Sequence, residues 1–434
     1  MRSLLATAIL ILPVTAIAAD LPKPDAVFPA QDEDEVRLGW QLFYDPILSG
    51  NRSVSCATCH HPDLGTSDGL SLGLGDGATG LGTNRVIDAA NPPEQRIPRN
   101  APALWNLGAT EFTVFFHDGR LEDDPTRPSG IRTPLGAEME MGFTNALAAQ
   151  AMFPVLSGDE MAGHYSENDV AQAVRLGQLT GDGGAWDILA KRVEAIPAYR
   201  TDFDAVIGEG TPIHFTHIAN AIAAFITFEW RADQSPFDAH LRDGTPLDPD
   251  QTAGMNLFYG KAECSACHSG LFQTDHDFHA IAMPQIGPGK AARFERHNRD
   301  VGRGRVTGDE TDFYAFRTPS LRNITETAPY GHSGAYASLE DVVRHHLDPT
   351  TALAAYSINQ AVLSEGAFTN DTALIENAKD VAAIAAANTL PTTHLTDTEV
   401  AQLIAFLGAL TDYDSLKGRL GVPKSVPSGL PLDK

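Results

Sequence analysis

The stretches GWQLFY at 39–44 and CATCH at 56–60 recur later in the chain as GMNLFY at 254–259 and CSACH at 264–268. The order is the same in both copies, and together the two copies use all four cysteines of the chain. A repeat of this kind predicts two related domains. Each domain is expected to begin with a helix that leads into its cysteine segment.

Both cysteine segments have the pattern Cys-x-x-Cys-His. Two thiols at this spacing reach the two vinyl groups of one haem, and the adjacent histidine is delivered to one face of the iron. Disulfides or a four-cysteine zinc site are disfavoured because both copies have related flanks and no cysteine is left over. We therefore predict two covalently bound haem c groups, with a histidine as the proximal ligand of each iron. The residues are Cys56, Cys59 and His60 for the first haem, and Cys264, Cys267 and His268 for the second.

The composition limits the classes of partner. The 434 residues are 43% hydrophobic, enough for globular cores, and carry a formal net charge of −25. Such a surface repels phosphate, and no Lys/Arg-rich stripe offsets it, so nucleic acid is excluded as a partner. A neutral small substrate or a basic protein partner fits this charge better.

Residues 1–19 read as a signal peptide, with Arg2, an apolar stretch and small residues before Asp20. We expect cleavage after Ala18 or Ala19 and a periplasmic location. The apolar stretch is shorter than the roughly 20 residues of a spanning helix, so no membrane span is predicted.

The predicted fold is mainly α, with two cytochrome c-like haem domains that have long loops and pack across a shared interface. Residues 20–240 would form the N-terminal haem domain with a helical insertion, and residues 241–434 the C-terminal haem domain. The boundary falls in the polar stretch 238–250. Near the end, Thr396 and Glu399 form a capping box, which predicts a helix through Leu410.

The second face of each iron decides what a haem can do, because an iron with two protein ligands mostly transfers electrons. In the second half, residues 339–346 read as a helix that holds His345 and His346. The corresponding segment of the first half, after His117, holds no histidine until His164 and offers Glu138 and Glu140 instead. A carboxylate is a poor iron ligand but a suitable acid and base for splitting an O–O bond. The two sites are therefore predicted to be unequal.

Together these motifs resemble the bacterial di-haem cytochrome c peroxidase and MauG superfamily. Besides the haem segments, the resemblance rests on five stretches that span nearly all of the chain after residue 19. They are RNAP at 99–102, FHDGR at 116–120, EMG at 140–142, RTPSLRN at 317–323 and TAPY at 327–330.

The resemblance implies roles for further residues. It makes the first domain peroxidatic and the second an electron-transfer domain. Glu140 takes the place of the distal glutamate, and Pro134 lines the same pocket. One calcium ion is implied between the domains, bound by the side chain of Asn100 and the carbonyl groups of Thr327 and Pro329, since hard cations prefer oxygen ligands.

The chain also departs from the familiar members. His346 falls where they have methionine or tyrosine, which implies a second haem with two histidine ligands; His345 is the alternative, because helix register decides which side chain faces the iron. No histidine lies between His61 and His117, so the first iron is expected to be five-coordinate at rest. His117 itself occupies the position of a tryptophan between the haems, and either carries electrons or only holds a turn.

Three functions are compatible with these features. The first is a periplasmic peroxidase that reduces hydrogen peroxide with electrons from a small periplasmic redox protein. The second is a MauG-like oxidation of a side chain on a partner protein, also with peroxide. The third is a non-enzymatic electron carrier, which requires a second ligand on the first iron. The open first haem beside Glu140 favours the peroxidase.

Overall fold

The computed structural model describes residues 21–290, 297–366 and 368–433. These residues form helices joined by long loops, with short strands in three small antiparallel sheets, β1–β2, β3–β4–β5 and β6–β7. The prediction of a mainly α protein is confirmed. The predicted signal peptide lies outside the described residues.

The helices of the described residues are α1 (Glu33–Tyr44), α2 (Cys56–Cys59), α3 (Ala146–Ala151), α4 (Asp169–Arg175), α5 (Ala185–Glu194), α6 (Pro197–Ile207), α7 (Phe215–Glu229), α8 (Pro236–Asp243), α9 (Pro249–Phe258), α10 (Gly304–Thr307), α11 (Leu339–Leu347), α12 (Pro349–Ala355), α13 (Ala378–Ala386) and α14 (Asp397–Gly408). The strands are β1 (Ala78–Thr79), β2 (Val86–Ile87), β3 (Val114–Phe115), β4 (Leu121–Asp123), β5 (Ile131–Arg132), β6 (Phe278–His279) and β7 (Phe316–Arg317).

In each half, the helix that leads into the cysteine segment crosses a later helix at a glycine. A Cβ atom on Gly39 of α1 would lie 1.8 Å from the carbonyl oxygen of Ala221 in α7. A Cβ atom on Gly254 of α9 would lie 1.9 Å from the carbonyl oxygen of Gln402 in α14. The two glycines occupy the same position in the sequence repeat. The two halves therefore share this close helix contact as well as the sequence pattern.

Aromatic rings pack beside each crossing. Phe43 lies 5.3 Å from Phe225 between ring centres, and its counterpart Phe258 lies 5.3 Å from Phe406. All four side chains are fully buried, and each pair belongs to a separate hydrophobic cluster. The first cluster is the larger and also takes in the helices α3 to α6, which form the predicted insertion.

Helix ends follow the sequence signals. Thr396 accepts a hydrogen bond from the backbone N–H of Glu399, and the carboxylate of Glu399 accepts one from the backbone N–H of Thr396. The predicted capping box is confirmed, although α14 ends at Gly408 rather than at Leu410. The apolar helix α7 has 15 residues. None of the described helices combines the length and the apolar character that crossing a membrane requires.

The C-terminal segment, residues 411–433, returns to the first half. Val426 is buried in the first hydrophobic cluster. The indole of Trp40 in α1 donates to the carbonyl of Gly421 at 2.6 Å, and the hydroxyl of Ser428 donates to the buried carboxylate of Asp45 at 2.6 Å. The predicted boundary at residues 238–250 therefore divides neither the helices nor the cores cleanly: α8 runs into it, and Phe237 of α8 packs in the second hydrophobic cluster.

A buried ion cluster also connects the halves. The guanidinium of Arg99 lies 2.6 Å from the carboxylate of Asp300 and 2.8 Å from that of Asp118. Burial opposes ionisation of both carboxyl groups, but Arg99 outweighs it and holds the pKa values of Asp300 and Asp118 below their ordinary range. Charges buried this deeply are tolerated because each is paired.

Replacing Gly254 by alanine should destabilise the second half. The added methyl group must push α9 and α14 apart, because a backbone carbonyl and the Cβ of Phe406 stand in its way. We expect a loss of about 3 kcal/mol in the free energy of unfolding, measured by denaturant titration. Gly408→Ala is the matched control: nothing lies within 4 Å of its Cβ position, so a change within about 1 kcal/mol is expected. Equal effects of the two substitutions would contradict the close crossing.

Arg99→Met should cost about 3–5 kcal/mol at pH 7, because the buried carboxylate of Asp300 loses its arginine partner and that of Asp118 keeps only Arg120. In the wild type the ion cluster stabilises fully above the ordinary carboxyl pKa of about 3.9, and that stabilisation is lost as the pH falls through the lower folded values. In the variant the buried carboxyl group of Asp300 takes up a proton more readily than in the unfolded chain. The difference in stability between the two proteins should therefore shrink from pH 7 towards pH 4.

Thermal unfolding at several pH values measures this difference. The control is Arg127→Met, which breaks an exposed pair with Asp124 at 3.1 Å and should cost less than about 1 kcal/mol. A difference that grows as the pH falls would contradict the assignment of Arg99.

Candidate haem sites

A cavity lies beside the first cysteine segment. Its walls include Cys56, Cys59 and His60, so both thiols and the predicted iron ligand face the same space. The four cysteines form no disulfide with one another. The residues present therefore fit a covalently attached macrocycle.

The two proximal histidines are held in the same way. Nδ1 of His60 lies 2.9 Å from the carbonyl oxygen of Thr66, and Nδ1 of His268 lies 3.1 Å from that of Gln273. A carbonyl oxygen only accepts, so each Nδ1 carries the proton and each Nε2 keeps its lone pair for a metal. Burial lowers the pKa of His60, and burial together with the nearby His346 lowers the pKa of His268 to about 4. Both rings are thus kept neutral, as iron ligands must be.

At the second site the imidazoles of His268 and His346 face each other with their ring centres 6.3 Å apart. Histidine nitrogens bind metal ions at about 2 Å, and the nitrogen lies about 1 Å from the ring centre, so two imidazoles across one metal are about 6 Å apart. His346 lies in the last turn of α11, and its Nδ1 is 2.7 Å from the carbonyl oxygen of Val342. The spacing suits one iron between the two rings.

The neighbouring His345 is oriented differently. Its Nε2 lies 2.8 Å from the carbonyl oxygen of Ile281, and its Nδ1 lies 2.9 Å from the hydroxyl of Tyr336. Both nitrogens are therefore occupied, whereas Nε2 of His346 remains for a metal. The structure thus favours His346 among the two alternatives that the sequence left open.

Glu140 and Pro134 lie in the loop between β5 and α3. The carboxylate of Glu140 accepts a hydrogen bond from the backbone N–H of Gly181 at 3.2 Å, and Pro134 is exposed. Neither residue is among those that line the cavity beside His60. The structure therefore does not bring these two predicted residues together with the first proximal histidine.

Other charged residues face that cavity instead. Arg120, Glu160 and Lys290 are among its lining residues. Burial raises the pKa of Glu160, against the effect of Lys290, and burial together with the neighbouring arginines lowers the pKa of Lys290 to about 8. Sequence reasoning missed Glu160 and Lys290, because neither lies in a repeated motif or next to a haem segment.

His117 follows β3 and also lines the first cavity, and its carbonyl accepts a hydrogen bond from the backbone N–H of Arg317 in β7 at 2.8 Å. Burial, and then the charge of Arg99, lower its pKa well below the ordinary value. His332 stacks on Phe316 with ring centres 3.7 Å apart, and in the described residues neither of its nitrogens has a hydrogen-bond partner. These neutral imidazoles lie where the two halves meet.

The residues implied for calcium also lie near this junction. The side-chain amide of Asn100 donates to the carbonyl of Leu70 at 2.7 Å, which leaves its oxygen free to accept or to coordinate. The backbone N–H of Asn100 donates to the carbonyl of His332 at 2.9 Å, so it is tied to the second half. In the part of the chain that the structure describes, no hydrogen bond is donated to the carbonyls of Thr327 and Pro329. These oxygen atoms suit a hard cation.

Comparison with known proteins agrees with these sites. Residues 33–245 match the family model described as di-haem cytochrome c peroxidase. The chain is 32% identical over 329 residues to the methylamine utilization protein MauG of Methylorubrum extorquens, which covers 75% of this chain and 71% of that protein. It is 30% identical over 315 residues to the cytochrome c551 peroxidase of Pseudomonas aeruginosa, with 72% and 71% covered.

Solved structures share the fold. A MauG-like protein associated with microbial copper homeostasis superimposes with a TM-score of 0.58 at 24% identity, covering 94% of this chain and 97% of that one. The diheme peroxidase BthA from Burkholderia thailandensis superimposes with a TM-score of 0.56 at 21% identity, covering 96% and 97%. With its repeated cysteine segments, its oriented histidines and these relatives, the chain belongs to the di-haem cytochrome c peroxidase family, in which its sequence also resembles MauG.

Proposed function

We propose that this oxidoreductase is a periplasmic peroxidase, which reduces hydrogen peroxide to water with electrons from a small redox protein. The observation that carries the proposal is the inequality of the two sites. His268 and His346 face each other at 6.3 Å between ring centres, whereas His60 faces a cavity. When bound, the haem irons supply the redox chemistry.

The protein's own residues prepare the first site for this reaction. Cys56 and Cys59 would anchor the cofactor, and His60 is fixed by Thr66 so that Nε2 points to the metal. Apolar side chains and prolines form much of the cavity wall, which limits the entry of water. A buried site of this kind strengthens every electrostatic interaction within it.

Peroxide cleavage needs one group that moves a proton from one peroxide oxygen to the other. We assign this role to Glu140, which the family resemblance supports. Within the described residues, the carboxylate of Glu140 makes a single hydrogen bond, which it accepts from the backbone N–H of Gly181. Glu160 and Asp68 are rival carboxylates, because both already line the cavity and burial raises the pKa of each. Pro134 would then limit the space around the peroxide.

Electrons must reach the first site through the junction of the two halves. His117 is the candidate for this path, because it lines the first cavity and is bonded through its carbonyl to β7 of the second half.

The donor itself is proposed to be a basic protein, since a net charge of −25 attracts such a partner and speeds encounter. We further propose a calcium ion held by Asn100, Thr327 and Pro329 at this junction.

Paramagnetic resonance of the resting ferric protein tests the unequal sites. One high-spin centre and one low-spin centre are expected. His346→Ala should turn the low-spin centre high-spin, because it removes one of the two imidazoles. The matched substitution His345→Gln should leave the low-spin centre in place. Two low-spin centres in the wild type would rule out the open first iron and favour a simple electron carrier.

Steady-state peroxide reduction tests the acid–base group. Glu140→Gln should lower kcat/KM for peroxide by about 100-fold or more, since a positioned general acid–base group contributes about 10²–10⁴. Glu138→Gln is the control, because Glu138 is exposed in the same loop. Glu160→Gln is measured in parallel: if it alone abolishes turnover, the role belongs to Glu160. If the wild-type protein reduced peroxide no faster than the uncatalysed background, the peroxidase function would be refuted.

A further inference from the structure

Beside the second haem site, Tyr336 and His345 form a buried pair that the proposed function does not use. The side chain of His345 is fully buried and that of Tyr336 is 2% exposed. Tyr336 lies three residues before α11 and forms a β-bridge with Tyr330, and His345 lies in the last turn of that helix. The tyrosine hydroxyl and Nδ1 of the histidine are 2.9 Å apart.

The direction of this hydrogen bond follows from the other side of the ring. Nε2 of His345 lies 2.8 Å from the carbonyl oxygen of Ile281. A carbonyl oxygen cannot donate, so Nε2 carries the proton and Nδ1 keeps a lone pair. The hydroxyl of Tyr336 is therefore the donor and Nδ1 is its acceptor. The phenol is thus bound directly to a base.

Aromatic rings connect this pair to the second haem site. The ring centres of His346 and His345 lie 6.0 Å apart, and those of His345 and Tyr336 lie 5.4 Å apart. Tyr336 is also 5.5 Å from the ring of Tyr356. Rings at these spacings are in or near van der Waals contact, which permits electron transfer between them.

We propose that Tyr336 is a redox-active residue that gives up one electron towards the second haem site while its hydroxyl proton moves to Nδ1 of His345. This inference rests on the proposed peroxidase function, which supplies the oxidant. Reduction of one hydrogen peroxide to two water molecules consumes two electrons and two protons. Tyr336 supplies one of these electrons and becomes a neutral tyrosyl radical; the bound haem would supply the other, and the two protons come from solvent. The redox protein later returns both electrons, and His345 returns its proton to Tyr336.

The local chemistry singles out Tyr336 among the neighbouring tyrosines. Phenol oxidation releases a proton, so it needs a base at the hydroxyl. The hydroxyl of Tyr356 donates to the carbonyl of Ala335 at 2.9 Å, and that of Tyr330 donates to the carbonyl of Ile324 at 2.9 Å. An amide carbonyl is not a base that can keep this proton. Of the three, only Tyr336 has a histidine nitrogen as its acceptor.

Freeze-quenched paramagnetic resonance of the holoprotein, mixed with peroxide in the absence of an electron donor, tests the proposal. We expect a narrow organic radical signal that takes the hyperfine pattern of tyrosine and changes when the protein carries ring-deuterated tyrosine. Tyr336→Phe should lower this signal at least tenfold. Tyr356→Phe is the matched control and should retain it, because the ring lies next to Tyr336 but lacks a basic acceptor. His345→Gln should lower the signal as well, since an amide cannot keep the proton.

Peroxide consumption in the same samples separates this inference from the proposed function. If peroxide is consumed but no tyrosyl signal forms, or if the signal survives in Tyr336→Phe, the redox role of Tyr336 is overturned and the peroxidase stands. If the wild type consumes no peroxide, both are overturned. Unchanged optical spectra of the haems in Tyr336→Phe show that the substitution has left the second site intact.

Discussion

The structure depends on two close helix crossings, each made possible by a glycine. At Gly39 and at Gly254 the backbones of two helices approach so closely that no Cβ atom fits between them. This contact fixes where the first helix of each half ends, and thereby where the cysteine segment that follows is placed. Buried rings pack next to each crossing, and one of them, Phe43, also lines the cavity at the first site. Two copies of one backbone contact thus position two sites.

The halves share this frame but differ in what surrounds it. In the second half, α11 brings His346 opposite His268, so that protein groups occupy both faces of the site. In the first half, His60 faces a cavity whose charged residues come from several parts of the chain, among them Arg120 and Glu160 from the first half and Lys290 from the second. The same pair of helix crossings therefore carries two unequal sites: His346 lies opposite His268 in the second, whereas His60 faces a cavity in the first. The ion cluster around Arg99 holds the two in a fixed relation.

Much of this could be predicted from the sequence, because the signals were local. The haem segments, the capping box at Thr396 and the helix that holds His346 are short patterns whose spacing carries the physical constraint. The sequence could not decide between His345 and His346 as the iron ligand. That choice depends on which ring nitrogens are already hydrogen-bonded to neighbouring carbonyl and hydroxyl groups. Long-range placement was also inaccessible: nothing near Glu140 in sequence indicates that its carboxylate bonds to the backbone of Gly181.

The return of residues 411–433 to the first half has a consequence for biosynthesis. Trp40, Asp45 and Glu229 all find hydrogen-bond partners in this last segment. Domains of a growing chain usually form in the order in which they emerge. Here, however, α1 obtains part of its packing from the last residues of the sequence. The C-terminal segment thus completes the packing of the first half, and its removal would leave the indole of Trp40 and the carboxylates of Asp45 and Glu229 without these partners.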